Sequence, residues 1–238
     1  MLETRGVPSV AIGAVRVQME RTQPPRGLFV PFQLGRPLGE PMDARFQRRV
    51  LRQALGLLER TGGPVILEDF PDDPPGWLDT PDWVPPAVPV VSSPDSAEGW
   101  RIAFTAELAL LRPVWMRAQA RFGRSTAALS GVLPDAWPTL AAQFLAGGTP
   151  SVAAHDTSAL ALRFMCDDVK AFYGEAAQAD GTAPASRQLD AWFWRQTLAG
   201  RLLIALRAVA MASENNAVRT VAGRFLVPAP WLPGQGHP

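Results

Sequence analysis

Lysine and cysteine are almost missing from this 238-residue chain: Lys170 is its sole lysine and Cys166 its sole cysteine. A single thiol excludes a disulfide within the chain and any zinc cluster built from cysteines. Histidine is scarce as well, with only His155 and His237, and no Glu-x-x-His pair is present to build a metal site in a helical bundle. Neither a metal nor a cofactor is therefore expected. The chain also lacks the Gly-Lys-Ser/Thr end of a phosphate loop, the Gly-x-Gly-x-x-Gly dinucleotide fingerprint and the Gly-x-Ser-x-Gly nucleophile elbow. Catalysis of the Ser-His-Asp kind would have to recruit His155 with Ser158 or Ser130, without a supporting motif.

Charge of one sign is lacking too. The formal net charge is +1, which argues against nucleic acid or an anionic membrane as a partner held by general electrostatics. No apolar run approaches the ~20 residues that cross a bilayer. Met1 to Glu20 carries acidic residues and lacks the order of charge, apolar block and small-residue cleavage site of a signal peptide. A cytoplasmic protein in a reducing compartment is expected.

Hydrophobic residues make up 47% of the chain, enough for one large core or two small ones. Val7 to Ile12, Gly27 to Phe32 and Pro64 to Leu67 are short apolar runs bounded by Gly or Pro and read as buried strands. Between the last two, Phe46, Val50, Leu51, Ala54, Leu55 and Leu58 recur at helical spacing, and Arg45, Arg48, Arg49 and Arg52 occupy the other face. This strand-helix-strand order favours parallel pairing.

From Asp69 to Pro94 prolines crowd the chain, which excludes a helix or a central strand, while Trp77 and Trp83 argue for a wrapping segment that docks. Helical patterning follows over Ala97 to Phe122, Pro134 to Leu145, Asp156 to Ala179 and Ser186 to Ala212, the last predicted to be the longest helix. The expected fold is α+β or α/β, with a small, mostly parallel sheet in residues 1–68. A Pro-rich connection (69–96), a helical region (97–227) and an extended tail (228–238) follow.

The turn Gly35 to Pro41 is the leading candidate site. It follows a strand and precedes a helix, so Arg36, the backbone of Gly35 and Gly39, and the helix start can face an anion. A purely structural connection is the other reading. Glu68 and Asp69, then Asp72 and Asp73, follow the third strand and could bind an ion or serve as acid and base, or could be solvated loop residues. Cys166 beside Lys170 on a helix could be a reactive thiol or a small core residue. Trp192 and Trp194 could wall a ligand or simply pack.

The segments Arg5 to Val10, Pro31 to Pro37 and Phe46 to Leu55 together resemble the carboxyl-terminal part of the glycine/sarcosine/betaine/D-proline reductase selenoprotein B family. In that family a Gly-Ile-Pro-Thr-Val strand precedes a Pro-x-x-Leu-Gly-x-Pro turn and an arginine-rich helix. The resemblance covers about the first 60 residues. Pro31, Leu34, Gly35 and Pro37 match the turn, while Phe32 stands where His is common. It implies reductive cleavage of a carbon–nitrogen bond in a small amino-acid derivative, an oxidoreductase activity that uses a selenocysteine or cysteine just upstream of the first strand. No cysteine precedes Cys166 here. The expectation is an accessory or split subunit that binds a small anionic ligand through Gly35, Arg36, Gly39 and Glu68 and works with a partner protein subunit. Its own catalytic residues are not identified. The alternative is a non-enzymatic binding or scaffold protein acting through the Trp-rich helical half.

Overall fold

The computed structural model describes residues 2–32, 35–39, 42–63, 65–73, 79–232 and 234. The chain is an α+β protein, 55% helical, with a small parallel sheet near its amino end and most helices in its carboxyl-terminal half. It divides into two compact units, Met1–Asp79 and Thr80–Pro238.

The first unit runs β1 (Ala11–Gly13), α1 (Arg16–Thr22), β2 (Arg26–Phe29), α2 (Ala44–Gly56) and β3 (Ile66–Asp69), with the strands parallel in the order β1-β2-β3. Ile12 stands opposite Leu28, and Leu28 opposite Glu68. Successive strand residues point to opposite faces. On one face Gly13 and Gly27 admit Met19 of α1: a Cβ on either would lie 2.3 Å from the Met19 sulfur or 2.7 Å from its methyl carbon. On the other, Leu28 and Val30 pack with Phe46, Val50 and Ala54 of α2. Asp43 caps α2 by accepting from the Phe46 N–H at 2.9 Å.

The sequence reading is corrected at three places here. Val7 is exposed and β1 begins only at Ala11. The expected apolar stripe of α2 is narrower, since Leu51 and Leu55 are exposed and Leu57 completes the core instead. Helix α1 carried no recognisable pattern, because Met19 is its one buried residue.

The second unit contains α3 (Ala97–Phe122), α4 (Trp137–Leu145), α5 (Ser158–Ala176), α6 (Ser186–Ala191), α7 (Leu198–Met211) and α8 (Asn216–Val221). Ser96 caps α3, Thr157 caps α5 and Asn215 caps α8. Helix α3 continues through Pro113, whose position and that of Ala109, four residues earlier, are exposed, so the carbonyl that loses its partner faces water. Trp137, Trp192, Tyr173, Phe104 and Phe172 are the largest fully buried side chains of the core. Trp83 docks as expected: its indole N–H donates to the Ala177 carbonyl at 2.9 Å and its ring meets Trp192 edge-on. Trp77 lies outside the described residues.

The single helix predicted over Ser186 to Ala212 is two, which leaves α3 the longest. Trp192–Gln196 forms a π turn after α6, and Thr197 adopts an extended conformation (ψ 151°) before α7. The Thr197 hydroxyl donates to the Phe193 carbonyl at 2.6 Å and accepts from the Gly200 N–H at 3.0 Å, fastening both helix ends at once. Gly200 is a point of close contact, since a Cβ there would sit 2.2 Å from the Phe193 oxygen. The tail departs from the expected extended form over its described start. Ala229–Trp231 is a 3-10 turn, and buried Trp231 stacks on Trp194.

Candidate functional site

The turn after β2 is closed by a hydrogen bond from the Gly39 N–H to the Arg36 carbonyl at 2.9 Å, with Pro37 in the second position. Gly35 (φ 88°) and Gly39 (φ 87°) both take left-handed conformations that other residues rarely adopt, so the glycines set the path of this turn. Gly35 is exposed, Arg36 half-buried and Gly39 buried. Gln33, Leu34, Glu40 and Pro41 lie outside the described residues. Beneath the turn, Leu38 packs on the core that holds Phe32, Phe46 and Phe70, three rings with centroids 5.5 to 5.7 Å apart. The guanidinium of Arg49 lies over two of them, Phe46 and Phe70, and pairs with Asp72.

Glu68 is placed differently. It sits in β3 opposite Leu28 and pairs with Arg60 at 2.9 Å, just beyond the end of α2. Asp69 pairs with Arg16. The carboxylates that follow the third strand therefore do not converge: Glu68, Asp69 and Asp72 each take an arginine from a different place. No group of three or more His, Cys, Asp or Glu fit to hold a metal ion occurs among the described residues.

In the helical unit, chemistry-bearing residues serve the fold. Cys166 is buried, and desolvation pushes its thiol up to about 12 despite the opposing influence of Lys170. Lys170 is engaged elsewhere, with Asp167 at 2.8 Å and the Phe225 carbonyl at 3.2 Å. This overturns the reactive-thiol reading. Ser130 and His155 are not partners either. Ser130 donates to Asp168, whereas His155 stacks on Phe164 and its Nε2 is buried without a partner.

Three carboxylates organise this unit. Glu107 of α3, fully buried, accepts from the Tyr173 hydroxyl at 2.6 Å and from the N–H groups of Leu198 and Ala199 at 2.8 and 3.0 Å, capping α7. Burial and this carboxylate keep the Tyr173 phenol protonated well above its ordinary range. Asp168 of α5 accepts from the Leu129 and Ser130 N–H groups and the Ser130 hydroxyl. Glu175 accepts from the Trp115 indole, the Ser125 hydroxyl, and both the N–H and hydroxyl of Thr126. The sequence did carry a signal for two of these. Phe104, Glu107, Leu108 and Leu111, like Met165, Asp168, Val169 and Phe172, stand at the i, i+3, i+4, i+7 spacing of a core stripe.

Two cavities are described in this unit. A half-open cleft of about 620 Å³ lies among the carboxyl ends of α4 and α7 and the start of α8, with Phe144, Thr149 and Glu214 in its lining. A smaller one of about 200 Å³ is lined by Lys170, Gly174, Asp190, Phe193, Trp194 and Pro228, beside the π turn, with Leu189 completing its wall. Asp190 there has no hydrogen bond or ion pair with any described residue, and burial raises its pKa. Trp192 is buried and Trp83 half-buried. Among the described residues no helix is long and apolar enough to cross a membrane.

No family model, curated protein or solved structure matches this chain.

Proposed function

We propose that this chain is a selenoprotein-B-like accessory or split subunit, whose α/β unit lines a small-molecule site for the reductive cleavage of a carbon–nitrogen bond in a small amino-acid derivative. The observation that carries the reading is the turn from Gly35 to Gly39. Two left-handed glycines set its path, and it runs from the carboxyl end of β2 to α2, where parallel sheets hold ligands. The segments that carry the family resemblance, Arg5 to Val10, Pro31 to Pro37 and Phe46 to Leu55, belong to that unit, the first preceding β1 rather than forming a strand.

Arg36 is the anion-holding group, through a two-pronged contact to a carboxylate. The start of α2 contributes less than its dipole alone would give, because Asp43 already supplies a carboxylate to the Phe46 N–H. The nucleophile comes from outside these 238 residues, since their one thiol is buried and held protonated.

Calorimetry with glycine, sarcosine, betaine and D-proline tests the site. Arg36→Ala is expected to weaken binding by about tenfold or more, the loss of one charge-assisted contact. Equal affinity of wild type and variant for every ligand that binds would reject Arg36 as the anchor. Reductase activity that appears only on adding a Cys- or Sec-bearing partner supports the subunit role, whereas activity of the chain alone that survives Cys166→Ala would refute it.

A further inference from the structure

We propose that the cavity beside the π turn of the helical unit is a binding site for a small organic ammonium compound, held by the Asp190 carboxylate against Phe193 and Trp194. This site is separate from the strand-end turn and does not depend on the reading of that turn.

The first observation is a contrast among carboxylates. Glu107, Asp168 and Glu175 are each saturated by three or four donors of their own unit. Asp190 is half-buried and has none. Lys170 shares the cavity wall yet does not neutralise it, because its ammonium is engaged by Asp167 and the Phe225 carbonyl. A desolvated carboxylate without a donor is costly, and its ionised form is the one burial disfavours here. A cation entering the cavity supplies the missing donor.

The second observation is Gly174. It lies inside α5, where glycine destabilises a helix by roughly 0.5–1 kcal/mol relative to alanine. Packing does not require it, since a Cβ there would meet no atom within 4 Å. It lines the cavity and leaves its own part of the wall without a side chain.

The aromatic side chains complete the chemistry. Ring faces attract alkylammonium ions, and an ion pair in a partly desolvated pocket outweighs its counterpart in water. The π turn adds a residue to the helical path at Trp192–Gln196, a distortion often found at functional sites. A volume of about 200 Å³ is close to seven waters at about 30 Å³ each, so the cavity has room for a ligand of a few heavy atoms.

Calorimetry of the full chain with propylammonium, tetramethylammonium and sarcosine tests this. At least one probe is expected to bind with a dissociation constant of about a millimolar or tighter. Preference for propylammonium identifies a primary amine that donates to Asp190, preference for tetramethylammonium a quaternary ion held by charge and ring contact alone, and preference for sarcosine an amino acid. Asp190→Asn keeps the side-chain shape and is expected to weaken binding by at least about tenfold while the protein melts at a higher temperature. Gly174→Leu, which fills the cavity and improves helix propensity, is expected to abolish binding with the fold intact. Failure of every probe to bind wild type at about 10 mM, or undiminished binding by both variants, overturns the proposal.

Discussion

In the α/β unit three carboxylates at the third strand stay outside the core, each paired with an arginine: Glu68 with Arg60, Asp69 with Arg16, Asp72 with Arg49. In the helical unit Glu107 and Asp168 are fully buried and bonded to backbone N–H groups of other segments. Chemically identical groups therefore carry very different energies. An exposed pair is screened by water and salt and contributes little, whereas a buried carboxylate that loses or leaves behind its partners costs several kcal/mol. A carboxylate's place in a core stripe can mark it as buried, but the donors around it decide its role.

Four substitutions sharpen or break that comparison. The largest effect is expected from Glu107→Ala, which strands the Tyr173 hydroxyl and two N–H groups in the core, at a cost on the order of 3–5 kcal/mol in urea denaturation. A loss below about 1 kcal/mol would place Glu107 with the surface carboxylates. Gly200→Ala comes next, since its methyl must displace the Phe193 carbonyl, and a loss of about 1–3 kcal/mol is expected in the same assay.

Asp190→Asn should act in the opposite direction. Burial raises the Asp190 pKa above the ordinary aspartate range, so the folded state binds the proton more tightly than the unfolded one. The associated stability is complete below the unfolded pKa and is lost as pH rises through the folded pKa. Asparagine removes that loss, so the variant should melt above wild type at neutral pH, with the gap closing in acid. A melting temperature at pH 7 equal to or below that of wild type would contradict the unpartnered state of this carboxylate. The smallest effect belongs to Arg16→Gln, about 1 kcal/mol or less and shrinking further in high salt; a loss above 2 kcal/mol would end the contrast between the units.

Much of the fold was legible because its stripes are regular. Helices α3 and α5 fall where apolar spacing put them, and Asp43 stands at the entry to α2. What the sequence concealed has physical causes. Helix α1 buries only Met19, so it has no stripe to read. The break at Thr197 lacks proline or an adjacent glycine, and the hydroxyl that stabilises it is visible only through its bonds to Phe193 and Gly200. The Gly35–Gly39 turn was legible from its residue types, as was the docking of Trp83. The cavity at Asp190 was not, because Gly174 contributes to it by having no side chain at all.

The Glu107 carboxylate joins residues from three helices: its own α3, the phenol of α5 and the first amides of α7. Such a shared fastening makes these helices a single cooperative block, because none can depart without exposing the others' bonds. Amide hydrogens of Leu198 and Ala199 should accordingly exchange with deuterium only when the whole block opens, at the slowest rate in the protein, rather than by the fraying usual for a first helical turn.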